Sequence, residues 1–151
     1  MTLRMVRAGV AGGIVGGIIL LLFLLGAGLA TTKASPAVIL LALLQFSAEW
    51  AIGKAALAST SYAWIGALVH FGTSILWGLA FVYVAKQRPQ VVQQPFIAGI
   101  VYGVIVWIGT QLVLMATGLF RTPSPNEAET ELFAYCIFFG IPLAYTVAKL
   151  T

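Results

Sequence analysis

From Val10 to Ala30 the chain runs without a charged residue, and almost every side chain in the run is apolar. A stretch of about 20 such residues, rising ~1.5 Å per residue as a helix, matches the ~30 Å hydrocarbon core of a bilayer. Arg4 and Arg7 before it resemble the basic start of a signal peptide. The apolar region of a signal peptide is shorter, about 7–15 residues. Gly28-Leu29-Ala30 is also a poor cleavage site. The expectation is a retained first span over roughly residues 5–30.

Composition extends this conclusion to the whole chain. Of 151 residues, 61% are hydrophobic and only 8% charged, against about 25% charged in soluble domains. A small domain buries too little of its chain to hide this much apolar surface from water. A single transmembrane helical domain, residues 1–151, is expected, with lipid as the solvent. The net charge of +4 comes from scattered single bases, which is no nucleic-acid surface. One cysteine, Cys136, excludes an internal disulfide and a multi-cysteine metal site.

Further apolar stretches cover 62–85, 95–119 and 130–148, the last interrupted by Pro142. Segment 36–57 differs. Ser35 is a good N-cap and Pro36 suits a first helical turn, but Gln45, Glu49 and Lys54 make its second half amphipathic. Charge counting bears on its path. The loop Lys86-Gln-Arg88-Pro89 is basic, as is the N-terminus, so both belong on the cytoplasmic side. That requires an even number of spans between them. The fold class expected is therefore an all-α integral membrane bundle of four transmembrane helices plus one re-entrant or interfacial helix at about 36–57. Both termini would be cytoplasmic, in the bacterial inner membrane. Arg4, Arg7, Lys86, Arg88 and Lys149 then lie inside, and Lys33, Lys54 and Arg121 outside. Tyr62, Trp64, Trp50 and Phe120 would mark the outer interface and Tyr83 the inner one. Thr130 or Asn126 is the expected cap of the last helix.

Glycines recur every four residues at Gly9, Gly13 and Gly17, with Gly12 and Gly16 beside them, and again at Gly99 and Gly103. Between helices in lipid, close backbone approach supplies the attraction, so these are helix-packing faces. Packing inside the chain and self-association are both open uses. Gln111, mid-span, reads as an interhelical hydrogen bond.

His70 is the only histidine, and it lies within a span. An ionisable group there is expensive and raises a functional hypothesis. With the last helix entering from the same side, His70, Ser74, Glu49, Glu131 and Tyr135 are expected to converge in the outer half of the bundle, with Thr73 extending the strip. Such a cluster is the material of a pH sensor or proton relay. The plainer alternative is an imidazole bonded to a neighbouring helix. No cofactor or metal is expected, the alternative being a haem ligated by His70 with help from a partner subunit, or a single-ligand pigment on His70. No catalytic motif is present, so no enzymatic activity is expected.

The run Val69-His70-Phe-Gly-Thr-Ser74-Ile-Leu-Trp-Gly78-Leu-Ala-Phe-Val-Tyr83 resembles a helix of the YagU-type small inner-membrane proteins. The helix from Phe96 through Gly103 to Gly118-Leu119, and the opening Glu131-Leu-Phe133-Ala-Tyr135, resemble that family's next helices, so the likeness covers roughly residues 66–148. It implies about four spans with a polar or amphipathic segment after the first, and a link to acid-stress survival. By position His70, Ser74 and Glu131 match, while Tyr135 stands where that family has a second histidine. The resulting expectation is a multi-pass membrane protein without enzymatic activity. It would be either a packing or accessory subunit of a membrane assembly or a stress-related protein. Its partners would be the bilayer and other membrane subunits or a second copy, with no nucleic acid. The alternative is a bundle that conducts protons or small solutes, or senses pH, through the His70 cluster.

Overall fold

In lipid every backbone N–H and C=O must be paired within the protein, and helices do this segment by segment. The computed structural model, which describes residues 1–119 and 122–151, is accordingly all-α, with no strand among the described residues. Among the described residues five helical stretches are long and apolar enough to cross a membrane. We label their helices α1 (Leu3–Thr31), α2 (Pro36–Ile52), α3 (Ala63–Gln87), α4 (Pro95–Ala116) and α5 (Pro125–Leu150). Phe120 and Arg121, assigned above to the outer side, lie outside the described residues.

Local chemistry sets the helix ends. The Ser35 side chain accepts from the Val38 N–H, with Pro36 in the first turn of α2. Gly118, at φ 72°, ends α4, and the Leu119 N–H returns to the Leu114 carbonyl at 2.9 Å, which satisfies an otherwise orphaned acceptor. The last helix starts earlier than expected. Ser124, rather than Asn126 or Thr130, is its cap, in a reciprocal capping box with Glu127 and with Pro125 at the first turn. Within α5, Ala134–Gly140 is π-helical, and the Ile141 N–H bonds the Cys136 carbonyl. Pro142 has no N–H and crowds the carbonyl four residues before it. The wider π turn just upstream carries the helix past that defect without breaking it.

The helices pack through glycine. A Cβ at Gly9 would lie 3.0 Å from the Gly78 carbonyl oxygen, and one at Gly17 2.8 Å from Ser74 Oγ. Gly13 lies between them against the backbone of Ser74 and Ile75. These contacts run α1 antiparallel to α3. Gly12 and Gly16, on the neighbouring face, meet Leu143 and Phe139, which runs α1 antiparallel to α5. Gly99 and Gly103 seat α4 antiparallel on α5 at Gly140-Ile141 and Tyr135-Cys136. Both glycine faces of α1 are therefore occupied inside the chain.

This register brings the start of α1 and the ends of α3 and α5 to one end of the bundle. Arg4 Nε donates to the Leu150 carbonyl there, at 2.8 Å. Arg4, Arg7, Lys86, Arg88 and Lys149 gather at this basic end. Lys33, Glu127 and Glu129 belong to the far end.

The same register determines the path of segment 36–58. It leaves from the far end, where α1 finishes, and α3 starts at the far end again. Pro36–Ala58 qualifies as a span by length and composition, yet its two ends lie on the same side. The chain reverses at Gly53, whose φ of 67° suits a residue without a Cβ. A 3₁₀ segment, Gly53–Ala58, then folds back. Gln45 Nε2 donates to the Ala56 carbonyl at 3.2 Å, whereas a straight helix would separate those residues by about 16 Å.

Tyr62, Trp64 and Tyr83 are exposed. Trp50 is not at a rim. It is half-buried and turned into the bundle, because α2 folds inward over α3 at Gly66, where glycine lets the Leu44 backbone approach. The dense core lies toward the basic end and includes Phe81, Val82, Tyr102, Phe139, Leu143 and Val147.

Candidate site: a two-chambered cavity in the far half of the bundle

Above that core the helices part. A chamber of about 460 Å³ lies between α1, α2, α4 and α5, with Thr122, Pro123 and Glu127 at its far end and Glu131 and Tyr135 deeper in. A smaller chamber of about 110 Å³ reaches His70, Thr73 and Ser74 on α3. Leu20, Leu24, Leu43, Trp50, Thr110 and Tyr135 line both, so the two share walls.

His70, half-buried, points its Nε2 at the Gly17 carbonyl oxygen, 3.0 Å away on α1. A carbonyl only accepts, so Nε2 carries the proton in this bond. The His70 carbonyl accepts in turn from Ser74 Oγ at 2.7 Å and Thr73 Oγ1 at 3.0 Å. The hydroxyls expected to extend a polar strip are thus spent on their own helix, a common use of serine and threonine in apolar surroundings.

Glu131 belongs to the larger chamber. Its Oε2 accepts from Trp107 Nε1 at 3.3 Å and Gln111 Nε2 at 3.0 Å, both on α4. The interhelical hydrogen bond expected of Gln111 thereby has a partner. Tyr135, one turn on, interacts with the Thr110 side chain. Tyr135 and Thr110 stand in the wall shared by the chambers, with His70 on one side and Glu131 on the other.

The expected convergence is therefore partial. His70, Ser74 and Tyr135 line one chamber, and Tyr135 and Glu131 the next, but no hydrogen bond joins His70 to either partner among the described residues. Glu49 is 4% exposed on α2 and lines neither chamber. On α2, Leu43, Phe46, Ser47 and Trp50 occupy the face that lines the cavity, and Glu49 is not among them.

The chamber that His70 lines measures about 110 Å³, and its Nε2 is engaged with the Gly17 carbonyl. Among the described residues no group of three or more His, Cys, Asp or Glu is placed to hold a metal ion.

The family of unknown function DUF6789 matches residues 3–151. The chain belongs to that family. Neither the curated proteins nor the solved structures contain a match to it.

In this DUF6789 chain the sequence reading singled out Gln111 but not its partner, nor several other groups of the site. Trp107 and Gln111 are four residues apart, hence on one face of α4, where two such donors suit an acid on a facing helix. That signal was readable. Thr110 had none, nor did Tyr102, whose hydroxyl donates to the Trp77 carbonyl at 2.5 Å and pins α4 to α3 beneath the cavity. Trp50 was placed at the membrane surface on composition alone. Its indole Nε1 is buried with no hydrogen-bond partner among the described residues.

Proposed function

We propose that the protein is a multi-pass protein of the bacterial inner membrane that works without bond-making chemistry, as an accessory subunit of a membrane assembly or a stress-related membrane protein. One observation carries this reading. The polar groups of the far half stop at Trp77, Val106 and Phe139, and the next turns toward the basic end are the buried Phe81, Tyr102 and Leu143. The cavity is blind, and a conducting pathway needs polar groups or water on both sides of such a floor. The resemblance of residues 66–148 to YagU-type proteins is the ground for including acid-stress survival.

His70→Gln keeps a donor near the Gly17 carbonyl and removes the titration. The expected result in proteoliposomes is unchanged proton and solute flux, with His70→Ala lowering thermal stability by about 1 kcal/mol through loss of an interhelical hydrogen bond. A pH-dependent flux that disappears in His70→Gln while the fold persists would overturn the proposal in favour of conduction. A pH-sensing role draws on the polar side chains spaced from Glu127 through Glu131 and Tyr135 to His70, and the same variant tests it.

The disposition in the membrane follows from the basic end, which faces the cytoplasm under the positive-inside rule and takes both termini with it. Segment 36–58 then enters and leaves on the outer side. Cysteines placed at the exposed Ser59 and Gln87 report this. Ser59→Cys should react with an impermeant maleimide in intact cells and Gln87→Cys only after permeabilisation. The buried Cys136 contributes no background. Labelling of Gln87→Cys from outside would invert the topology.

A further inference from the structure

The larger chamber is amphipathic in a directed way. Leu20, Leu24, Leu43 and Phe46 form one wall, from α1 and α2. The opposite wall, from α4 and α5, carries Gln111, Glu127, Glu131 and Tyr135. The two carboxylates are four residues apart, on one face of α5 and at two depths. No lysine, arginine or histidine is among the described residues that line this chamber.

The Glu131 carboxylate is held in a fixed attitude. Trp107 and Gln111 both donate to Oε2. Oε1 makes no hydrogen bond among the described residues, and the side chain is only half-buried on the chamber wall. Donors that orient one oxygen and leave the other free make a preorganised acceptor. An acid in apolar surroundings gains most from a cation that arrives with its own apolar body, because the low dielectric strengthens the pair and the body replaces water at the walls. The aromatic faces of Trp50, Phe46 and Tyr135 around the chamber add cation–π attraction.

We infer that this chamber binds a lipophilic organic cation, with its charge against Glu131 Oε1 and its apolar groups against the α1–α2 wall. Glu127 at the mouth is the first acidic group such a ligand meets on entry from the far end. The inference rests on the reading that this cavity is blind and does not conduct. The His70→Gln flux experiment tests that reading without touching Glu131, so the two can fail separately.

The test uses the full chain in nanodiscs of zwitterionic lipid, with empty discs subtracted. The probes are tetraphenylphosphonium and tetraphenylborate, which are alike in size and apolarity and opposite in charge. Saturable binding of tetraphenylphosphonium alone is expected in equilibrium dialysis. Glu131→Gln, whose amide oxygen can still accept from Trp107 and Gln111, should weaken it about tenfold or more. Leu24→Trp fills the chamber, leaves both carboxylates in place and should abolish binding, which covers the case of a Glu131 variant that fails to fold. Equal binding of the two probes, no saturable binding of the cation, or full affinity in a folded Glu131→Gln or Leu24→Trp protein would each overturn the inference.

Discussion

Gly78→Ala should lower the unfolding free energy of the bundle by about 3 kcal/mol, the upper part of the range for overpacking a close-packed site. The added Cβ would overlap the Gly9 carbonyl oxygen and lie 2.8 Å from Gly13 N and 3.1 Å from Gly13 Cα. All three are backbone atoms, so no side chain can swing away, and α1 must move off α3. That movement also pulls the Gly17 carbonyl from His70, since that hydrogen bond joins the same pair of helices. Gly72→Ala, on the same helix, is the control. A Cβ there meets nothing within 4 Å, and helix propensity favours alanine by up to ~1 kcal/mol. Titration from mild detergent into sodium dodecyl sulfate, followed by circular dichroism, reads both. Equal midpoints for the two variants would refute the close helix contact.

Gly66→Ala should have a large effect of a different kind. Its Cβ would overlap the Leu44 carbonyl group, so α2 can no longer lie on α3. The four remaining helices keep the contacts described above. The expected outcome is release of segment 36–58 from an otherwise folded bundle, with the cavity opened where Leu43, Phe46 and Trp50 had closed it. Ser47→Cys, partly buried on the cavity wall, reads this directly. Its maleimide reaction should accelerate at least about tenfold in the Gly66→Ala background, as expected of local opening with little change in global stability. An unchanged rate would mean that α2 does not depend on the Gly66 contact.

Much of the fold was legible in the sequence because lipid leaves few solutions. Apolar runs of about 20 residues become helices. The position of Lys86 and Arg88 relative to Arg4 and Arg7 predicted that segment 36–57 begins and ends on one side, and the antiparallel register of α1 and α3 has that consequence. The start of α5 was misplaced although Ser124-Pro125-Asn126-Glu127 is a readable capping box. The polar loop around it had drawn the boundary inward.

The candidate site was harder to read. The candidate residues were chosen by type and depth, and depth does not tell which face of a helix meets which neighbour. Ser74 was expected to contribute to the polar cluster, yet its hydroxyl bonds its own helix. Glu131 was paired in expectation with His70, yet α4 supplies Trp107 and Gln111 to it first.

By itself the sequence determined the solvent, the helices and the end that carries the basic residues, since each depends on composition along one segment. Only the tertiary structure decided that the glycine faces of α1 are consumed by α3 and α5, that His70 is tied to Gly17, and that a blind acidic cavity opens in the far half. Those outcomes depend on how helices rotate about their axes to bring backbones within van der Waals contact. Single-segment patterns of apolar residues leave that rotation undetermined where nearly every face is apolar.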